Sequence, residues 1–114
     1  MNIVLLQGTL SSDPVVRTLA SGSTLWSLEL TTVVDGVNVS VPVAWFDPPA
    51  SAAQWVAGNA LLVSGTVRRR FYRSGGITQS RTEVVATEVV ALSRRKQVRA
   101  IIARTGAALS TEAA

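Results

Sequence analysis

Apolar and polar side chains alternate along much of this chain, most clearly over residues 37–46. The odd positions from Val37 to Trp45 are all apolar, and the even positions between them are polar or small. Because successive side chains of a strand point to opposite faces, this pattern predicts a strand with one buried face. Phe46 follows on the open face, where a hydrophobic core does not explain an aromatic ring.

The preceding stretch, residues 24–34, alternates in the same way, with Trp26, Leu28 and Leu30 on one face. Asp35-Gly36 separates the two stretches. This dipeptide favours a two-residue type I′ turn, in which both central residues need positive φ. We therefore predict a tight β-hairpin over residues 24–46, with Trp26 in the core.

The first predicted strand, residues 2–10, is apolar on both faces. Ile3 and Leu5 lie on one face, and Val4 and Leu6 lie on the other. A strand of this kind is covered on both sides. One face is expected on the core and the other against a second cover, for which another subunit is a candidate. Gly8 predicts a bend in this strand, and residues 15–19 predict a short return strand.

Residues 50–57 are rich in alanine and end at Gly58, a pattern that predicts a short α-helix of about two turns. It carries Trp55, which is expected in the core. Two further stretches, residues 60–72 and 78–92, flank a Ser-Gly-Gly sequence and predict a second long hairpin.

This order of elements predicts an all-β domain over residues 1–92. Its expected architecture is a five-stranded OB-fold Greek-key barrel with one short helix between strands three and four. Residues 93–114 are expected to form a basic C-terminal tail that is partly helical or flexible.

The composition restricts the chemistry. The 114 residues include no cysteine and no histidine. Disulfides and thiolate metal sites are therefore excluded, and the commonest general base is missing. We expect no metal, no cofactor and no catalysis. We also expect no signal peptide, because the apolar run of residues 3–6 is too short and no basic residue precedes it. We expect no membrane span, because the uncharged residues 48–67 contain prolines and glycines. The expected compartment is the cytoplasm.

The net charge of +4 conceals an asymmetry. Residues 1–67 hold one basic and four acidic residues, whereas residues 68–114 hold ten basic and three acidic residues. The two parts therefore carry net charges of −3 and +7. This concentration suggests an anionic partner. A solvated face with a basic tail explains the charge alone equally well.

The fourth predicted strand places Arg68, Arg70 and Tyr72 in a row on its open face. Single-stranded nucleic acid is bound by this combination, because cations contact the phosphates and flat rings stack on the bases. Arg69, Phe71 and Arg73 lie near the loop tip, where alternation no longer separates inside from outside. Taken alone, the arginines of this row are more simply explained as residues that keep the exposed face soluble. The element order and Phe46 favour nucleic-acid binding instead.

With these residues, the chain resembles the bacterial-type single-stranded DNA-binding protein family over most of residues 2–92. The matching stretches are residues 2–10, Asp13-Pro14-Val15-Val16-Arg17, Gly22, residues 28–32, Phe46, residues 58–65, Arg68, Arg70, Tyr72 and residues 82–85. The resemblance implies an OB-fold homotetramer that wraps single-stranded DNA in replication, repair and recombination, associated with the nucleoid. It also implies that first strands pair between subunits, over residues 3–6.

The resemblance also implies stacking roles for Phe46 and Tyr72. The complete set of candidate DNA-binding residues is Arg17, Trp45, Phe46, Arg68, Arg69, Arg70, Phe71, Tyr72, Arg73 and Arg81.

The sequence departs from the family pattern at several positions. The Asp35-Gly36 turn is much shorter than the family's DNA-contacting loop. Ser40 stands where a stacking tryptophan is common, and Phe71 stands where a lysine is common. The contacts are therefore expected to be fewer, or to lie on Trp45, Phe71 and Arg81.

The tail is the largest departure, because it has neither the family's Gly/Pro/Gln-rich linker nor its acidic tip. Either the sequence is a tail-truncated form, or the protein is a paralogue that does not recruit partners in this way, so recruitment of replication and repair proteins is doubtful. The basic tail either adds phosphate contacts or forms a helix with no role.

Three alternatives remain: an OB-fold accessory protein of replication restart or competence, an OB-fold protein-interaction module, and an OB-type nuclease. The nuclease needs clustered carboxylates, and Asp13, Asp35 and Asp47 lie in separate turns.

Overall fold

Six strands form one continuous sheet in the computed structural model, which describes residues 1–113. The strands are β1 (Val4–Leu10), β2 (Val15–Thr18), β3 (Thr24–Val34), β4 (Val37–Phe46), β5 (Ala60–Ser74) and β6 (Ile77–Ala91). Their order is β1-β5-β6-β4-β3-β2, and an additional pairing of β1 with β3 closes five strands into a barrel and leaves β2 as an extra strand. The mostly-β class and the closed five-stranded barrel confirm the prediction at that level and are compatible with an OB-like fold.

Both predicted hairpins are present, each with a two-residue turn. Asp35 and Gly36 have φ values of 51° and 76°, and Gly75 and Gly76 have φ values of 60° and 79°. Positive φ at both central residues matches the twist of the flanking strands. The β5–β6 strands run up to their turn, so this hairpin extends further than the predicted strands.

Gly8 lies where β1 passes from one neighbour to another. Residues Val4 to Thr9 pair with β5, and Thr9 and Leu10 pair with β3. A Cβ atom on Gly8 would collide with the carbonyl oxygen of Thr31. Glycine therefore permits the close approach that closes the barrel.

A β-bulge interrupts the β5–β6 ladder, where Ser64 pairs with Glu88 but Gly65 pairs with Ala86. Thr87 is the extra residue. The bulge shifts the alternation of β6 by one position. Val84, Ala86 and Val89 therefore all face the core, while the carboxylate of Glu88 stays outside.

The barrel interior is filled by aliphatic side chains from every barrel strand. The largest of the fully buried ones are Leu28, Leu30, Val43, Leu61 and Val63. Trp26 and Trp55 pack against this core, as predicted. Trp55 stacks on Trp45 with ring centroids 5.3 Å apart and planes 15° from parallel.

The predicted short α-helix between strands three and four is wrong. A 3₁₀ helix, Ala50–Gln54, lies in part of that segment, and Trp55 returns to extended backbone with φ −77° and ψ 133°. An α-helix of two turns is costly to nucleate. No side chain caps this helix, and the extended backbone at Trp55 lets its ring reach Trp45.

Within residues 1–113 the one α-helix is C-terminal: α1 (Arg95–Ala113). It packs on the outside of the barrel through Ile101, which is 2% exposed and separate from the barrel core. Arg104 Nη1 lies 2.7 Å from Glu88 Oε1, and the Met1 amino group lies 3.8 Å from Glu112 Oε2. No helix among these residues has the length and apolar content needed to cross a membrane.

Ile3, on the outer face of the predicted first strand and directly before β1, lies beside α1. Ile3 and Ile101 line the same cavity between the barrel and the helix. Leu5, on the same face as Ile3, remains 40% exposed. The chain itself therefore supplies part of the second cover that the sequence predicted.

Candidate nucleic-acid interface

One outer surface of the barrel collects half of the ten predicted site residues. The two-residue turn at Gly75-Gly76 pairs Arg68 with Glu83 and Arg70 with Arg81 across the β5–β6 ladder. Directly opposed residues share a face of the sheet. We call the surface formed by Phe46, Arg68, Arg70, Tyr72 and Arg81 the arginine–aromatic face.

Each ring of this face lies beside a guanidinium group. The Arg68 Cζ atom is 5.3 Å from the centroid of the Phe46 ring, and the Arg70 Cζ atom is 5.3 Å from that of Tyr72. Both distances fall in the cation–π range. Phe46 and Tyr72 are each 37% exposed, so part of each ring remains open to solvent.

Glu83 lies beneath the two arginines and is 6% exposed. Its Oε1 atom is 2.5 Å from Arg70 Nε and 3.7 Å from Arg68 Nη2. A nearly buried carboxylate needs such partners, because burial without them is costly. Glu83 thus holds both guanidinium groups beside their rings. The Nε atom of Arg68 is buried and has no hydrogen-bond partner.

A second carboxylate occupies the β3 side of the face. Arg81 Nη2 lies 3.4 Å from Glu29 Oε1, and the Ser40 hydroxyl donates a hydrogen bond of 2.7 Å to Glu29 Oε2. The face therefore carries three guanidinium groups and two carboxylates. Its cations are organised by internal ion pairs, which a phosphate has to displace or share.

The remaining predicted residues of β5 lie on the reverse side of the β5–β6 hairpin, because they alternate with Arg68, Arg70 and Tyr72. The Arg69 Cζ atom is 5.5 Å from the Phe71 ring centroid. Arg69 also donates to Ser80, and Arg73 donates to the carbonyl of Gly76. The hairpin tip is exposed on both sides, so the structure divides the predicted set between two surfaces.

Arg17 and Trp45 have opposite placements. Arg17 pairs with Leu25, and Leu25 pairs with Phe46, so Arg17 shares the face of Phe46 two strands away. At 4.7–4.9 Å per strand this separates their backbones by roughly 10 Å. Trp45 is 5% exposed and stacked on Trp55. Its ring is a core element, and the structure does not offer it for stacking with a base.

Sequence reasoning missed Glu83 and Glu29. For Glu83 a signal exists: once the turn is assigned to Gly75-Gly76, counting outward places residue 83 opposite Arg68. For Glu29 no local signal exists, because its contact with Arg81 joins two strands that are not neighbours in the sheet.

Residues 1–113 contain no group of three or more His, Cys, Asp or Glu side chains able to hold a metal ion. Neither the comparison with protein-family models nor that with curated proteins finds a match for this chain.

Proposed function

We propose that this protein binds single-stranded DNA with little sequence preference, through the arginine–aromatic face. The observation that carries the proposal is the pairing of partly exposed rings with guanidinium groups: Phe46 beside Arg68, and Tyr72 beside Arg70. Rings stack on any unpaired base, and guanidinium groups contact the phosphates between successive bases. Stacking of this kind contributes about 1–3 kcal/mol per base.

The fold supports this proposal without deciding it. A closed five-stranded barrel is compatible with the OB-fold. We further propose membership of the bacterial-type single-stranded DNA-binding proteins, with assembly through β1 into a homotetramer. A role in replication, repair and recombination, in the cytoplasm and at the nucleoid, follows from that membership.

The test is a titration of fluorescently labelled oligo-dT of about 15 nucleotides, a length within the range that OB-folds occupy. Fluorescence anisotropy is measured at several salt concentrations, with a duplex of equal length for comparison. We expect tighter binding to the single strand. The logarithm of the affinity should fall with the logarithm of salt concentration with a slope of about −2 to −3, as three or four phosphate contacts imply.

Two variants assign the binding to this face. Tyr72→Ala and Phe46→Ala should each weaken binding about 5- to 100-fold, because each removes one stacking platform. Val37→Ala is the control, since Val37 is exposed on the other hairpin. No anisotropy change for wild type at low salt would overturn the proposal and favour a protein-interaction module. Unchanged affinity in both ring variants would mean that the DNA-binding site lies elsewhere on the protein.

A further inference from the structure

A second group of cations lies outside the arginine–aromatic face, at the start of α1. Arg94, Arg95, Lys96 and Arg99 are all exposed. Among residues 1–113, none of the four is in an ion pair, whereas Arg104 on the same helix is paired with Glu88. These four charges therefore remain available to an external anion.

The position of this group is unfavourable for the helix itself. The N-terminal end of a helix carries a partial positive charge, so cations in the first turn are repelled by it. The first turn contains no acidic residue, and Arg95 and Arg99 are like charges one turn apart. Helix stability does not account for four cations at this end, and an anionic ligand would remove the repulsion.

A groove connects this group with the arginine–aromatic face. A cavity of about 320 Å³ begins beside Phe46 and continues along Pro49, Val89 and Val90. A second cavity of about 260 Å³ shares those three residues and extends to Arg94. The two cavities adjoin, and together they lead from the Phe46 ring to the start of α1.

The carboxylates of the groove are engaged within the protein. Asp47 accepts a hydrogen bond of 2.9 Å from the Thr24 backbone amide, and Glu88 is paired with Arg104. Most of the shared wall is apolar. The groove thus has cations at each end and no unpaired carboxylate facing a polyanion on the way.

We propose that Arg94, Arg95, Lys96 and Arg99 form a second phosphate-contact region, reached by single-stranded DNA that leaves the arginine–aromatic face along this groove. This proposal rests on the proposed function and extends the path of the strand. Ala91 lies six positions along β6 from Val85, which is beside the face, and this is a span of roughly 20 Å. Short oligonucleotides therefore fill only the face, and longer ones reach α1.

The experiment compares oligo-dT of about 6 nucleotides with oligo-dT of about 35 nucleotides, which lie near and beyond the limits for one OB-fold. The test variant replaces all four cations: Arg94→Gln, Arg95→Gln, Lys96→Gln and Arg99→Gln. We expect unchanged affinity for the short strand. For the long strand we expect at least a tenfold loss of affinity at low salt. The slope of log affinity against log salt should be shallower by about 2–3, since each lost phosphate contact reduces it by about 0.7.

Arg95→Gln removes one positive charge from the proposed region. Its control is the double variant Glu88→Gln with Arg104→Gln, which removes the ion pair outside that region without leaving Glu88 unpaired in the groove. Only Arg95→Gln should flatten the slope for the long strand. Circular dichroism confirms that each variant keeps its helix.

The outcomes separate the two proposals. If wild type binds neither strand, the proposed function fails. If wild type binds and the fourfold variant matches it on both strands, this second region is overturned while the proposed function stands. Equal losses on both strands also overturn it, because they indicate a general charge effect and not a length-dependent path.

Discussion

At the scale of single residues, Glu83 determines how much positive charge the arginine–aromatic face offers. The arginine row suggests two free cations, yet both guanidinium groups contact one nearly buried carboxylate. A phosphate competes with that carboxylate for the same N–H donors. Glu83 is therefore both the support of Arg68 and Arg70 and the internal competitor of their ligand.

Replacing Glu83 by glutamine tests this competition. Glu83→Gln should raise affinity for oligo-dT several-fold and steepen the salt slope by up to about 0.7, because one more cation becomes available to phosphate. It should also lower the free energy of unfolding by about 1–3 kcal/mol, since the charge-assisted hydrogen bond from Arg70 and the longer ion pair with Arg68 are weakened. Anisotropy titration and urea denaturation measure the two effects.

Glu112→Gln is the control for Glu83→Gln, since it makes the same charge change at the far end of α1. It should leave both measurements nearly unchanged. A loss of affinity in Glu83→Gln would instead mean that holding the arginines beside their rings outweighs the competition.

At the scale of elements, glycine permits the close backbone contacts of the barrel. A Cβ atom on Gly65 would collide with the carbonyl oxygen of Val85, next to the β6 bulge. Gly106, in the middle of α1, has open space around the same position. Substitution by alanine should therefore have opposite effects on stability at these two glycines.

Gly65→Ala should destabilise the fold by about 2 kcal/mol or more, because the β5–β6 ladder has to move apart. Gly106→Ala should stabilise it by up to about 1 kcal/mol, because alanine is the better helix former. Thermal unfolding followed by circular dichroism compares the two. If Gly65→Ala left the unfolding temperature unchanged, the backbone contact with β6 would not be tight in solution.

At the scale of the whole molecule, β1 leaves one strand edge open for assembly. Its first half pairs with β5 on one edge only, and within residues 1–113 no strand pairs with its other edge over residues 4–8. An open strand edge invites pairing with another chain. Leu5 adds an exposed apolar side chain beside it.

Light scattering should therefore give a mass of at least twice the 12.0 kDa of one chain. Leu5→Glu should reduce that mass, because the substitution places a charge in the proposed contact. Val37→Glu is the control at an exposed apolar position on another strand. A wild-type mass of 12.0 kDa at all concentrations would contradict assembly through β1.

Much of the fold was predictable because its signals are local. Alternation marks the strands, and Asp35-Gly36 and Gly75-Gly76 supply the positive φ values that their turns need. The α-helix expected over residues 50–57 was wrong because composition there favours a helix, while the stacking of Trp55 on Trp45 draws the chain out of it. A contact between distant residues overrode a local preference.

The same distinction between local pattern and distant contacts applies to the candidate site. The sequence by itself determined which β5 side chains share a face, because the pleat alternates with every residue. Only the tertiary structure decided that Trp45 stacks on Trp55, that Glu83 and Glu29 hold the cations, and that α1 lies beside Ile3. Those outcomes depend on contacts between elements far apart in the chain. A periodic pattern indicates which side chains share a face of one element. It carries no information about which other elements pack against that face.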